Sequence, residues 1–277
     1  MGVVYRTQRG VFQEVIAPAG ATGRPKERVA PSVQPVRVIA ASKRYDGDVL
    51  ALDDVSFEVR PGELVALLGP SGCGKSTLLN LVGCIDLPTE GEVSIDGRST
   101  NALTDDELTQ VRRDRIGTIF QFFNLLPTLT IAQNVALPLV LQRRPAAEVD
   151  ARVSRALESV GIGEKADAAP GQVSGGQLQR AAIARAIVHD PAILLADEPT
   201  GNLDSTNGIA VLDILRALAD GGQAILMATH SSEAAARAYP VTSARKSAAK
   251  VLTRSIRCAR RADGCVDPRA LPLRCYA

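Results

Sequence analysis

The residues with the clearest capacity for chemistry form a short glycine-rich segment that ends in a lysine and two hydroxyl side chains. In order, they are Gly69, Pro70, Ser71, Gly72, Cys73, Gly74, Lys75, Ser76 and Thr77. They fit the pattern G-x-x-x-x-G-K-[ST] between a predicted strand and a predicted helix, the context that this motif requires. Because glycines let successive backbone N–H groups surround phosphate oxygens at a helix start, we expect a nucleoside triphosphate site. There Lys75 would reach the β- and γ-phosphates, and Ser76 would ligate Mg²⁺.

A second candidate site lies where a later apolar strand ends. The strand predicted over residues 192–196 is followed by Asp197 and Glu198. Asp197 suits Mg²⁺ held through water, and Glu198 is placed to orient or deprotonate the attacking water. The alternative is that both acids only cap the next loop. His230 ends another apolar strand and is expected to contact the γ-phosphate, whereas His189, near a helix C-terminus, is expected to be structural.

The elements around these residues predict an α/β core. Apolar strands are predicted at Leu64–Leu68, 192–196 and 224–228, and they read as parallel strands buried on both faces. Helices are predicted from about Lys75 and at 105–114, 148–159, 177–188 and 204–219. Upstream, the runs VRVIAA and DVSFEV alternate as in a partly exposed antiparallel sheet. The uncharged stretch 116–142 is long enough to cross a bilayer, but its prolines and amide side chains favour a soluble segment.

A further motif separates the classes of nucleotide-binding protein. Ser174, Gly175, Gly176 and Gln177 open another predicted helix, which gives the chain a second helix start able to bind an anion. With Val173 before it, this segment closely resembles the signature motif of ATP-binding-cassette (ABC) ATPases, and other pieces match in order from about residue 36 to 239.

The resemblance implies a P-loop NTPase core with an N-terminal antiparallel β subdomain and an inserted helical subdomain. It also implies roles for single residues. Tyr45 would stack on adenine, Gln121 would contact the nucleotide and Mg²⁺, Asp204 would lie at a dimer contact, and His230 would be a switch histidine. Tyr45 taken alone is more often a surface residue, so its role rests on the ordered set.

Within this family, the segments QFFNLLP, VALPLVL and ADEPTGNLDS look like the branch that includes lipoprotein-release and macrolide-export ATPases. Such proteins are peripheral subunits at the cytoplasmic face of the plasma membrane that drive a separate multi-span permease. The resemblance implies ATP hydrolysis with Mg²⁺ by two copies packed head to tail, so that ATP held by Lys75 of one is covered by residues 174–177 of the other. An apolar patch at Phe122 and Phe123 would suit the membrane partner, whereas Phe120 is expected in the core.

Composition narrows the function classes further. The 277 residues include no Trp and only 3% aromatic residues, which disfavours stacking surfaces for single-stranded nucleic acid, and no nucleic-acid partner is expected. The first ten residues hold no apolar signal segment, and the five Cys lack zinc-type spacing, so free thiols in a reducing cytoplasm are expected. A net charge of +2 conceals an acidic body between two basic ends.

These observations divide the chain into a flexible extension at 1–34, an ABC ATPase domain at 35–239 and an atypical basic tail at 240–277. The tail carries three of the five Cys, at 258, 265 and 275. It is either a replaced or frame-shifted terminus or a real basic extension that meets the membrane surface. Three other functions stay open: a regulator of cell-wall enzymes acting through a membrane partner, a soluble ABC protein of DNA repair or translation, and an inactive product.

Overall fold

Strands and helices alternate along the computed structural model, which describes residues 4–8, 11–15, 34–47, 49–237 and 250–253. The strands are β1 (Val4–Gln8), β2 (Val11–Val15), β3 (Val36–Tyr45), β4 (Val49–Val59), β5 (Leu64–Leu68), β6 (Glu90–Ile95), β7 (Arg98–Ser99), β8 (Ile116–Ile119), β9 (Ile193–Asp197), β10 (Ala224–Thr229) and β11 (Lys250–Thr253). The helices are α1 (Lys75–Val82), α2 (Asp105–Arg115), α3 (Ile131–Leu141), α4 (Ala146–Ser159), α5 (Gly175–Ile187), α6 (Ser205–Asp220) and α7 (Ser232–Arg237). Short 3₁₀ turns lie at Thr100–Ala102, Gly163–Lys165 and Pro170–Gln172.

A five-stranded sheet in the order β11-β5-β10-β9-β8 forms the centre, and its strand pairs are parallel. Its central strands are apolar on both faces because both faces are covered. In β5, Leu64 and Ala66 face one hydrophobic cluster, whereas Val65 and Leu67 face the other. Since all these strands run the same way, the segments that follow them meet at one edge of the sheet.

Helices cover one face of this sheet and a second sheet covers the other. The first cluster lies between the parallel sheet and α3, α4, α5, α6 and α7. The second lies between the parallel sheet, α1, α2 and an antiparallel sheet in the order β4-β3-β6-β7. The fold class predicted from the sequence is therefore confirmed, including the antiparallel sheet built from VRVIAA and DVSFEV.

The predicted elements of the body agree closely with the structure. The helices predicted at 105–114, 148–159, 177–188 and 204–219 are α2, α4, α5 and α6, with ends that differ by at most two residues. The stretch 116–142 is not one helix: it divides into β8, a loop and α3, which contains Pro138. Across the described residues, no helix combines the length and the apolar character needed to cross a membrane.

Both chain ends differ from expectation. Two antiparallel strands, β1 and β2, lie within the first 34 residues, where no element was predicted. In the tail, for which no element was predicted either, Lys250–Thr253 forms a strand that pairs in parallel with β5. The sequence KVLT suits a strand, and an open edge of β5 provides the partner. The three tail cysteines lie outside the described residues.

Candidate functional site: a phosphate loop and two strand ends

The phosphate loop runs from the end of β5 to the start of α1. Gly72 and Gly74 have φ of +78° and +90°, in the left-handed region that favours glycine. No side chain caps α1, so its first backbone N–H groups are available to an anion. Buried Lys75 places Nζ 2.7 Å from the carbonyl oxygen of Gly69 and 3.0 Å from that of Pro70. The lysine is thus held along the loop that would surround the phosphates.

Ser76 and Asp197 come together beside this loop. The Ser76 hydroxyl and the charge of Lys75 both favour the ionised form of the Asp197 carboxylate and so act to lower its pKa. Burial first, and the charge of Glu198 second, nevertheless raise the pKa of Asp197 above its ordinary value. Asp197 is thus a half-buried carboxylate that is costly to ionise, and it lies beside the Ser76 hydroxyl oxygen. Such a pair of oxygen atoms fits a divalent cation that prefers hard oxygen ligands.

Within the described ranges, no three His, Cys, Asp and Glu side chains cluster in a way that could hold a metal.

Glu198 and His230 meet at the adjoining strand ends. Glu198 follows β9 and His230 follows β10, and Oε2 of the glutamate lies 2.9 Å from Nδ1 of the histidine. Glu198 has φ of +46°, a costly conformation for a non-glycine residue, and its N–H donates to the Ala228 carbonyl oxygen at 2.9 Å. The backbone therefore fixes the carboxylate beside the imidazole, where it can orient and accept a proton from a water molecule.

Gln121 lies on the loop after β8 and pairs with Asn202. The Gln121 side chain donates from Nε2 to Asn202 Oδ1 at 3.2 Å, and Asn202 Nδ2 donates back to the Gln121 carbonyl oxygen at 3.1 Å. A Cβ on Gly201 would lie only 2.9 Å from Gln121 Nε2, so the two segments approach closely. Among the described residues, no hydrogen bond joins Gln121 to Ser76 or Asp197. The structure thus brings Gln121 to the loop at 201–204.

The predicted signature segment forms the capped start of α5. Ser174 Oγ accepts from the Gln177 N–H at 3.3 Å, and Gln177 Oε1 accepts from the Ser174 N–H at 2.9 Å. Ser174 and Gly175 are exposed, whereas Gly176 is buried against Asn207, whose Oδ1 would lie 2.2 Å from an added Cβ. Within the described part of the chain, no hydrogen bond or ion pair links this segment to the phosphate loop.

Asp204 caps the next helix, α6. Its carboxylate accepts from the Asn207 N–H at 3.0 Å and from Asn207 Nδ2 at 2.6 Å. These hydrogen bonds, the backbone one first, lower the pKa of Asp204 below its ordinary value. Asp204 is exposed, so capping leaves it at the surface.

Four further aromatic or imidazole residues carry predictions made from the sequence. Tyr45 ends β3 with 41% of its surface exposed. His189 is buried, with Nε2 3.2 Å from the Ile116 carbonyl oxygen, so its predicted structural role is confirmed. The prediction that Phe120 lies in the core is wrong: it is 37% exposed because β8 ends at Ile119 and Phe120 begins the loop. Phe122 is 71% exposed.

Comparison with known proteins places this arrangement in a family. The family model for ABC transporters matches residues 52–201. The chain belongs to the ABC transporter family. It is 50% identical over 187 residues to the ABC transporter ATP-binding protein MJ0796 of Methanocaldococcus jannaschii, covering 66% of this chain and 80% of that protein. A dimeric post-hydrolysis structure of the MJ0796 cassette, bound to ADP and Pi, matches with a TM-score of 0.65 and 43% identity, covering 72% of this chain and 89% of that chain.

A second relative supports the predicted branch of the family. The macrolide export ATP-binding/permease protein MacB of Aggregatibacter actinomycetemcomitans is 46% identical over 199 residues, which is 70% of this chain but 31% of that protein. Three predictions are thus confirmed: the chain belongs to the ABC family, it is similar to the macrolide-export branch, and it is an ATPase coupled to transmembrane transport.

Two side-chain contacts of this ABC ATPase were not predicted from the sequence. Asn202 pairs with Gln121 across about 80 positions, and nothing in the sequence indicates that pairing. Arg185 lies on α5 and donates from its guanidinium to the carbonyl oxygens of Phe123 and Asn124. A lone arginine within the apolar run AAIARAIV was the available signal, since a charge there needs a partner.

Proposed function

We propose that two copies of this chain close head to tail around ATP, hydrolyse it, and so drive a separate membrane permease. In each site, the loop residues 69–77 of one copy bind the triphosphate and residues 174–177 of the other copy cover it. Tyr45 stacks on the adenine. The observation that carries this proposal is the exposed start of α5, where Ser174 and Gly175 lie at the surface and, among the described residues, form no hydrogen bond or ion pair with the phosphate loop of the same copy.

The strand ends support the assignment of chemical roles. Lys75 binds phosphate oxygens, and Glu198 orients and deprotonates the attacking water, with His230 holding the γ-phosphate. Ser76 and Asp197 hold Mg²⁺, which neutralises phosphate charge when bound. Gln121 is the third candidate ligand, since its bond to Asn202 uses Nε2 and leaves Oε1 as a donor atom for a cation. Asp204, at the exposed start of α6, contacts the second copy.

An exposed apolar surface supports the membrane partner. Phe122 and Leu126, on the loop after β8, and Val140 and Leu141, at the end of α3, are between 47% and 71% exposed. Leu141 also lines a groove of about 260 Å³ together with Leu137 and Pro138. Exposed apolar surface of this kind suits an interaction with a partner protein. MacB is an ATP-binding/permease protein, so in that relative an ATP-binding part is joined to a permease. We place the chain at the cytoplasmic face of the plasma membrane, bound to such a permease and moving a lipoprotein, peptide or drug.

Mixing two inactive variants tests whether each site takes one motif from each copy. Lys75→Ala removes phosphate binding and Ser174→Arg blocks the covering segment, so each protein alone should lose nearly all ATPase activity. In a mixed dimer, Lys75 of the Ser174→Arg copy meets Ser174 of the Lys75→Ala copy, and one intact site forms. We expect activity to return on mixing, to about a quarter of the wild-type level at equal amounts with random pairing.

The control is the double variant Lys75→Ala/Ser174→Arg, which leaves no intact site with either single variant and should restore nothing. If the two single variants also restore nothing although each folds, both motifs act within one copy and the proposed dimer is wrong.

A further inference from the structure

The end of β3 carries two side chains on the same face of the strand. Lys43 and Tyr45 are two residues apart, which in a strand points them to one side. The Lys43 ammonium lies 5.1 Å from the centroid of the Tyr45 ring, within the range of a cation–π contact. One side of this exposed ring is therefore already in contact with a positive charge.

Asp86 contacts both of these side chains. Lys43 Nζ lies 2.6 Å from Asp86 Oδ1, and it also donates to the Leu87 carbonyl oxygen at 2.9 Å. The Tyr45 side chain also favours the ionised form of this carboxylate and so acts to lower its pKa. Burial opposes the ionisation of Asp86, but the bonds from Lys43 and from the Leu87 N–H outweigh it and lower its pKa, so the carboxylate stays charged. Each of the three side chains Lys43, Tyr45 and Asp86 therefore interacts with the other two.

The backbone ties this set to the phosphate loop. The Thr89 N–H donates to the Ser42 carbonyl oxygen at 2.8 Å, and the Arg44 N–H donates to Thr89 Oγ1 at 3.1 Å. Residues 86–89 follow α1 after only a few residues, and α1 itself begins at Lys75. A single eight-residue helix, about 12 Å long, therefore joins the phosphate loop at one end to the support of the Tyr45 ring at the other.

We propose that Lys43 and Asp86 are positioning residues that hold the Tyr45 ring ready for a base and so make nucleotide binding by this site selective for a purine triphosphate over triphosphate alone. This inference rests on the proposed stacking of adenine on Tyr45. A ring that is held before the ligand arrives loses less freedom on binding. Among the described residues, Lys43 and Asp86 form no hydrogen bond or ion pair with the phosphate loop, so we expect their effect to be confined to the part of the affinity that the base contributes.

Calorimetric titration of the full chain with ATP and with inorganic tripolyphosphate separates the two contributions. Asp86→Asn and Lys43→Met should each weaken ATP binding about fivefold to tenfold and leave the Kd for tripolyphosphate within about twofold of wild type. Tyr45→Phe keeps the ring and the Lys43–Asp86 ion pair but loses the hydroxyl group that acts on Asp86, so it should weaken ATP binding about twofold to threefold. In the Tyr45→Ala background, where no ring is left to hold, Asp86→Asn should have no further effect on ATP affinity.

Arg98→Met provides the matched control, because it breaks another ion pair, with Glu107, at the edge of the same antiparallel sheet. It should change neither Kd. Equal weakening of ATP and tripolyphosphate by Asp86→Asn, or an additive loss in the Tyr45→Ala background, would overturn the inference, since both describe a general structural role. If Tyr45→Ala weakens ATP but Asp86→Asn does not, only this inference fails. If Tyr45→Ala leaves ATP binding unchanged, the proposed base platform fails with it.

Discussion

Arg185 offers the most informative single substitution in this ABC ATPase. Its guanidinium, on α5, donates to the main-chain carbonyl oxygens of Phe123 and Asn124, in the loop that carries Gln121. Both of these loop residues have positive φ, +61° and +50°, which costs about 1 kcal/mol each for a side chain other than glycine. Arg185→Met keeps most of the length of the side chain and removes every donor, so the loop should lose the contact that stabilises it in this conformation.

The structure sets the size of the effect. Hydrogen bonds from a charged group contribute about 1.5–3 kcal/mol each, so two of them give a gross loss of about 3–6 kcal/mol. Part of this loss is recovered, because burial disfavours the charged guanidinium, as its lowered pKa indicates, and because exposed Asn124 can bond to water instead. We therefore expect a net loss of about 2–3 kcal/mol in the free energy of unfolding, or about 5–10 °C in Tm for a domain of this size.

Calorimetry together with hydrogen exchange measures this effect. Arg185→Met should lower Tm as stated and speed amide exchange in residues 120–126, and Arg185→Lys should restore only part of both. Arg113→Met is the matched control: in the described part of the chain, the Arg113 side chain pairs with its neighbour Asp114 at the surface, so Tm should move by about 2 °C or less. An Arg185→Met protein with unchanged Tm and unchanged loop exchange would refute the reasoning.

Three further predictions follow from the site and its surroundings. Because burial raises the pKa of Asp197, the charge of this carboxylate opposes folding at neutral pH. Asp197→Asn should therefore stabilise the nucleotide-free protein by about 1 kcal/mol in thermal unfolding while abolishing ATPase activity. A loss of stability in this variant would contradict the argument. Burial lowers the pKa of His189, so the histidine binds a proton more readily in the unfolded chain than in the folded one, and the free energy of unfolding should fall as pH drops below about 6.5. Urea titrations from pH 7.5 to 5 should show a weaker fall in His189→Gln than in wild type. Gly176→Ala should lower the free energy of unfolding by about 1–2 kcal/mol, since the new methyl would lie 2.2 Å from Asn207 Oδ1. In Gly175→Ala the new methyl would meet no atom closer than 3.8 Å, so this variant should unfold like wild type. Equal unfolding midpoints for the two variants would reject the packing argument.

Local patterns in the sequence were sufficient to predict the body of the fold. The strand at Leu64–Leu68 is found with those ends because an uninterrupted apolar run, bounded by glycine, reads clearly as a strand covered on both faces. Helix α3 was missed because its apolar residues, together with Pro138, resemble neither an amphipathic helix nor a strand. Thr130 and Gln133, which form a capping box at its start, were the available signal.

The site was predictable where its residues follow strands that point to one edge. Asp197 ends β9, Glu198 follows it, and His230 follows β10. Since both strands belong to the same parallel sheet, the convergence of these residues follows from topology. The pairing of Gln121 with Asn202, the bond from Arg185 to the loop, and the contact of Asp86 with Tyr45 depend on how loops pack, and no local pattern encodes them. The roles of residues 174–177 and Asp204 depend on a second copy, and they stay proposals.

The central claim is that ATP closes two copies of this chain into a dimer, and the solution mass of a Glu198→Gln variant tests it most directly. The variant should bind ATP without hydrolysing it, which keeps the closed state populated. Light scattering should give the monomer mass of 29.2 kDa without nucleotide and twice that mass with ATP. Adding Ser174→Arg to the variant should prevent the increase without weakening ATP binding to the monomer. A Glu198→Gln protein that binds ATP and stays at the monomer mass would contradict the account.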